Sequence, residues 1–85
     1  MEYKVQIIIK PLEQIANPEG KTIERALGAL SFDNVKNVRV GKVINFTLVA
    51  TDKDQANETI QAICKKLLVN PVMEYFEIFI DEIAD

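Results

Sequence analysis

Among the side chains able to do acid–base, nucleophilic or metal chemistry are thirteen carboxylates, ten Lys and Arg, two tyrosines and a single cysteine, with no histidine. Without imidazole this chain cannot build a His-based triad or a His metal site, and it has no His to move protons near neutral pH. Cys64 is the only thiol, so an internal disulfide is impossible and a thiolate metal cluster would need ligands from elsewhere. Asp52 and Asp54 suggest a cation site, but Asp52-Lys53-Asp54-Gln55 reads as a helix-capping box and no loop of oxygen ligands follows it. Glu74 and Glu77 flank apolar residues and lack the pairing that general acid–base work requires. Gly41-Lys42 ends like a phosphate loop, yet the earlier glycine is missing and Val43 stands where Ser or Thr belongs. Arg39 and Lys42 remain as cations available to a phosphate or to a partner's carboxylate. The residues support a binding or assembly module rather than a catalytic constellation.

The elements that must position these groups follow from periodicity. Tyr3, Val5, Ile7 and Ile9 alternate with Lys4, Gln6, Ile8 and Lys10, a half-buried strand closed by Pro11. Asn17-Pro18-Glu19-Gly20 starts a helix, with Asn17 as cap and Pro18 in the first turn, and Ile23, Ala26, Leu27 and Leu30 recur at helical spacing. Gly28 within that helix suggests close packing on a sheet. Residues 36–50 hold two readings. Val38, Val40, Ile44, Phe46, Leu48 and Ala50 share one parity and favour a single long strand, whereas Gly41-Lys42 would also serve as a two-residue hairpin turn. A second helix carries the stripe Ala56, Ile60, Ile63, Cys64, Leu67 and Leu68, which makes Cys64 a buried, inert thiol. Asn70-Pro71 stops it, with Asn70 suited to an Asx turn, and Phe76, Ile78 and Ile80 alternate along a last strand before an acidic tail.

The expected fold is α+β: an antiparallel or mixed sheet of three to four strands with two helices on one face, ferredoxin-like or a long-strand variant of it. Residues 1–85 make one domain, because this length supports a single thin core. The face away from the helices should be polar, yet Ile8, Val43, Val49, Tyr75 and Phe79 all point there. Such a patch calls for a second copy of the chain, packed sheet to sheet. A net charge of −3 opposes a nucleic-acid footprint, and Tyr75 and Phe79 fit an interface better than base stacking. No apolar run is long enough for a membrane span, the first residues do not form a targeting segment, and the lone cysteine suits a reducing compartment, so the expected location is cytoplasmic.

Three segments together carry a family resemblance: Asn17-Pro18-Glu19-Gly20, Val38-Arg39-Val40-Gly41-Lys42, and the run from Cys64 through Asn70-Pro71-Val72-Met73-Glu74-Tyr75. Over nearly its whole length the chain resembles the small subunit of phosphoribosylformylglycinamidine synthase, the PurS family. The resemblance implies a non-catalytic part of a multi-subunit amidotransferase in purine biosynthesis. A glutaminase subunit releases ammonia, and a large synthetase subunit uses ATP and Mg to convert formylglycinamide ribonucleotide to the amidine. The small subunit bridges them, binds no cofactor itself, and forms dimers or tetramers. Carried over by residue, Arg39, Gly41 and Lys42 match the family's RxGK stretch, and Asn70, Pro71 and Glu74 its NPVxE turn; both are expected to contact partners. The family usually shows Leu-Asp-Pro-Gln-Gly where this chain has Ala16-Asn17-Pro18-Glu19-Gly20. The rival expectation is a stand-alone ferredoxin-like regulatory or metabolite-binding module with a polar pocket between subunits.

Overall fold

Strict alternation in the first strand places Tyr3, Val5, Ile7 and Ile9 on one face, and all four are essentially fully buried. This strand is β1 (Glu2–Pro11) in a computed structural model that describes residues 1–83. It is followed by α1 (Pro18–Ala29), β2 (Lys42–Val49), α2 (Lys53–Ile63, continued by a wide π turn at Cys64–Leu68) and β3 (Glu74–Glu82). β1 lies at the centre of a three-stranded sheet of order β2-β1-β3, antiparallel to both neighbours. The fold is therefore α+β with ferredoxin-like topology and three strands, each antiparallel to its neighbour.

The ambiguity in residues 36–50 resolves in favour of one strand. Lys42 already pairs with Ile9, so Gly41-Lys42 is not a hairpin turn. β2 is shorter than the parity pattern suggested: residues 30–41 form an irregular return leg, and the ladder begins only at Lys42. β3 in contrast runs past Ile80, pairing Glu82 with Tyr3 and bonding Ile83 to Glu2. Of the acidic tail, Ala84 and Asp85 lie outside the described residues.

α2 covers the inner face. Ala56, Ile60 and Cys64 are fully buried over β1, and burying Ile60 alone is worth about 1.5–3 kcal/mol. Asp52 caps the helix as expected, its Oδ1 accepting the Gln55 N–H at 2.8 Å. The return half of the box is displaced by one residue, because Gln55 Oε1 accepts from Thr51 N–H and Oγ1 rather than from the Asp52 amide. At the other end the Val69 N–H reaches the Cys64 carbonyl, a turn one residue wider than an α-helix allows. The extra residue rotates the stripe, so Leu67, expected inside, is 80% exposed, and Val69 is buried in its stead.

α1 departs from the expected arrangement on the inner face. β1 ends and β2 begins at the same end of the sheet, and the excursion between them carries α1 outward, packed on neither the sheet nor α2. The molecule is accordingly long and thin, 51 × 30 × 14 Å. A ten-residue strand and a twelve-residue helix placed end to end account for about 51 Å. The expected close packing at Gly28 is absent, with nothing beyond its own helix backbone within 4 Å of where its Cβ would stand.

Candidate functional site

Asn17 does two jobs at the start of α1. Its Oδ1 accepts from the Gly20 N–H at 2.8 Å, the capping bond, and from the Val40 N–H at 3.2 Å. Its Nδ2 donates to the Val40 carbonyl at 3.0 Å, a bond no aspartate could make. The side-chain amide thus pairs with both backbone groups of Val40 and fixes the return leg against the helix. The Val38 N–H donates to Glu24 on α1, and Gly20 allows the close approach: a Cβ there would collide with the Val38 carbonyl. Gly41 plays the same part against β1, where a Cβ would fall 2.5 Å from the Ile9 carbonyl oxygen.

Arg39 reaches the segment that leaves β1. Its Nη2 donates to the carbonyls of Leu12 at 2.7 Å and Ile15 at 2.8 Å, tying the return leg to the segment that leaves β1. Lys42 lies 3.9 Å from the carboxylate of Glu74 at the start of β3. The other oxygen of Glu74 accepts the Asn70 N–H at 2.9 Å, while Asn70 Oδ1 accepts from the Val72 N–H in the expected Asx turn. Pro71 and Val72 sit on the exposed outside of that turn.

The three segments singled out in the sequence therefore meet at one end of the sheet. A cavity of about 390 Å³ there is lined by Asn17, Pro18, Glu19, Gly41, Lys42 and Glu74, among others. A second, of about 410 Å³ on the outer side, has Arg39, Lys42, Lys10, Glu13 and Tyr75 in its wall. The cations around it are already engaged: Arg39 with backbone carbonyls, Lys42 with Glu74, and Lys10 with Glu77 at 3.1 Å. The hydrogen bond to Glu77, together with its charge, holds the Lys10 ammonium above its ordinary pKa. Such a surface presents charges that are already paired within the chain. Among the described residues no group of three or more His, Cys, Asp or Glu is gathered for a metal.

On the outer face, Ile8 pairs with Val43 across one ladder and lies diagonal to Tyr75 and Phe79 across the other. Val43, Tyr75 and Phe79 are exposed, and the Lys10–Glu77 pair crosses the strip they form. Val49 is also exposed, but it pairs with Glu2 at the far end and does not join the strip. Reading the sequence missed Asn17 as the pin of the return leg and the Lys42–Glu74 link, both of which depend on contacts between segments far apart in the chain.

Comparison with known proteins bears on what this end of the sheet serves. The family model described as PurS, phosphoribosylformylglycinamidine (FGAM) synthase, matches residues 4–82. The phosphoribosylformylglycinamidine synthase subunit PurS of Methanocaldococcus jannaschii is 42% identical over 81 residues, 95% of this chain and 98% of that protein. The PurS structure of Thermus thermophilus superposes with a TM-score of 0.86 at 32% identity, covering 99% of this chain and all of that one. A chain in the structure of PurLQS from Thermotoga maritima gives a TM-score of 0.86 at 35% identity, covering 93% and 96% of the two chains. With segment, length and fold all in agreement, the chain belongs to the PurS family.

Proposed function

We propose that this chain, acting as a single domain over residues 1–85, is the non-catalytic small subunit of a glutamine-dependent phosphoribosylformylglycinamidine synthase. It bridges the glutaminase to the large synthetase subunit, so that ammonia released from glutamine converts formylglycinamide ribonucleotide to the amidine. The large subunit uses the ATP and Mg, and the assembly works in the cytoplasm. The observation that carries this reading is the family match over residues 4–82, with relatives of nearly equal length. Homologues occur in a multi-subunit assembly, the PurLQS structure of Thermotoga maritima. No helix among the described residues is long and apolar enough to cross a membrane.

Arg39, Gly41, Lys42, Asn70, Pro71 and Glu74 form the partner-contact end, where the internal bonds described above hold the backbone in one shape. Ile8, Val43, Tyr75 and Phe79 form a face for association between copies of the chain, with Val49 at its margin. In the assembly test, the purified chain is mixed with the large synthetase and glutaminase subunits, glutamine and ATP-Mg, and followed by light scattering and by glutamine-dependent activity. Entry into a larger complex with restored activity is expected. An Arg39→Glu variant, which also gives up the bonds to the Leu12 and Ile15 carbonyls, should keep the sheet and α2 by circular dichroism yet assemble at least tenfold more weakly. A wild-type chain that ignores both partners and leaves activity unchanged overturns the bridging reading in favour of a stand-alone module; equal assembly by the Arg39 variant removes that residue from the contact.

A further inference from the structure

β3 has a free edge. The sheet order β2-β1-β3 leaves no strand beyond it, and Glu74–Glu82 runs along that side without a proline or a bulge. The ladder fixes which backbone groups face outward. At one end the Leu12 N–H donates to the Met73 carbonyl, and at the other the Ile83 N–H donates to the Glu2 carbonyl. Odd-numbered residues of β3 therefore turn their backbone groups toward β1, and the even-numbered ones turn theirs away. Phe76, Ile78 and Ile80 present their N–H and C=O groups in a row, a template for one more strand.

The side chains along β3 restrict what that strand can be. Glu74, Glu77, Asp81 and Glu82 are acidic, and no residue of the strand is basic. Glu74 and Glu77 are matched by Lys42 and Lys10, but Asp81, opposite Lys4 on the ladder, and Glu82 form no ion pair among the described residues. Between the acids, Tyr75 and Phe79 are exposed on the outer face, and Phe76, Ile78 and Ile80 are half-buried on the inner one. A second copy of β3 laid on this edge would set the carboxylates of one strand beside those of the other, which like-charge repulsion across a ladder opposes. Laying β3 on the β2 edge of another copy is a head-to-tail contact, which builds open filaments unless the rotation closes a ring. A segment that alternates Lys or Arg with apolar residues meets neither obstacle.

We infer that β3 takes an added strand from a partner subunit: an extended segment, basic and apolar in alternation, pairs its backbone with Phe76, Ile78 and Ile80. In this mode main-chain bonds supply the affinity and alternate side chains the specificity. The inference rests on the bridging reading above and adds to it the element, the mode of contact and the charge of the partner segment. The edge begins at Glu74, so it continues directly from the Asn70-Pro71-Glu74 turn proposed above for partner contact.

Amide exchange of the full chain tests this residue by residue, first alone and then in the complex with the large synthetase and glutaminase subunits, glutamine and ATP-Mg. The N–H groups of Phe76, Ile78 and Ile80 are expected to exchange fast in the chain alone and at least a hundredfold more slowly in the complex. Adding each subunit singly identifies which one supplies the strand. As a second readout, Ile78→Pro removes an outward N–H and leaves the β1 ladder its bonds. Its sheet content by circular dichroism and the mass of the chain alone should hold, while assembly weakens at least tenfold. Asp81→Asn combined with Glu82→Gln should weaken assembly severalfold and flatten its salt dependence. A complex that forms with the three amides still fast, or an Ile78→Pro chain that keeps its fold and assembles like the wild type, overturns the added strand and leaves the bridging reading standing. Amides already slow in the chain alone overturn it in favour of pairing between copies. A wild-type chain that joins neither subunit overturns the bridging reading itself, and the added strand with it.

Discussion

Single residues here are constrained most where backbones nearly touch. Gly41 has an ordinary negative φ, so its requirement is space and not conformation: a methyl group would press on the Ile9 carbonyl. Gly41→Ala should therefore destabilise by about 1–3 kcal/mol in urea unfolding, whereas Gly28→Ala, in open space, should stabilise α1 by up to about 1 kcal/mol. Buried titratable groups set the alkaline limit. Burial pushes the Cys64 thiol above its ordinary 9.0, and burial followed by the charges of Glu82 and Asp52 pushes the Tyr3 phenol above 10.0. A raised folded-state value means the native chain holds its proton more tightly than the unfolded one. The associated stability is complete below the unfolded value and is lost as pH rises through the folded one. Urea midpoints should thus hold steady to about pH 9 and fall above it, the fall beginning later in a Cys64→Ala variant that is less stable at neutral pH. A wild-type midpoint that is flat to pH 11 would contradict this account.

At the scale of elements, the helix caps were legible and their finer geometry was not. Asn17-Pro18 and Asp52 name their helix starts, because a cap is a local bond between residues three apart. The second partner of Asn17 lies twenty-three residues away, and no local rule points to Val40. Asn17→Ala removes the cap and both bonds to the return leg, so it should cost about 1–3 kcal/mol. Asp52→Ala loses only its cap and should cost about 1 kcal/mol, a ranking that chemical denaturation of the two variants would check. The exit of α2 misled the helical stripe for a related reason. An i, i+4 pattern assumes 3.6 residues per turn, and the wide turn at Cys64–Leu68 shifts the register enough to turn Leu67 outward. Leu67→Lys should then be nearly neutral in stability, while Cys64→Lys on the same turn should prevent folding.

For the whole molecule, shape is the informative quantity. A radius of gyration of 16.8 Å against about 12 Å for a compact chain of this length marks an extended chain whose first helix stands apart from the core. Amide exchange should report this directly. α1, with no strand or helix packed on its apolar stripe, should exchange quickly in dilute solution. The β1 amides, central in the sheet, should be protected throughout. The sequence by itself determined the elements, their caps, the inner face of β1, the buried Cys64 and the apolar residues of the outer face, because each is written in spacing within one segment. It also carried the family, through three separated segments. Only the tertiary structure decided that β2 begins at Lys42, that those three segments converge through Asn17 and the Lys42–Glu74 pair, and that α1 stands clear of its own sheet. An amphipathic helix pattern states that one face must be buried, but nothing in its periodicity says whether the covering surface belongs to the same chain or to another.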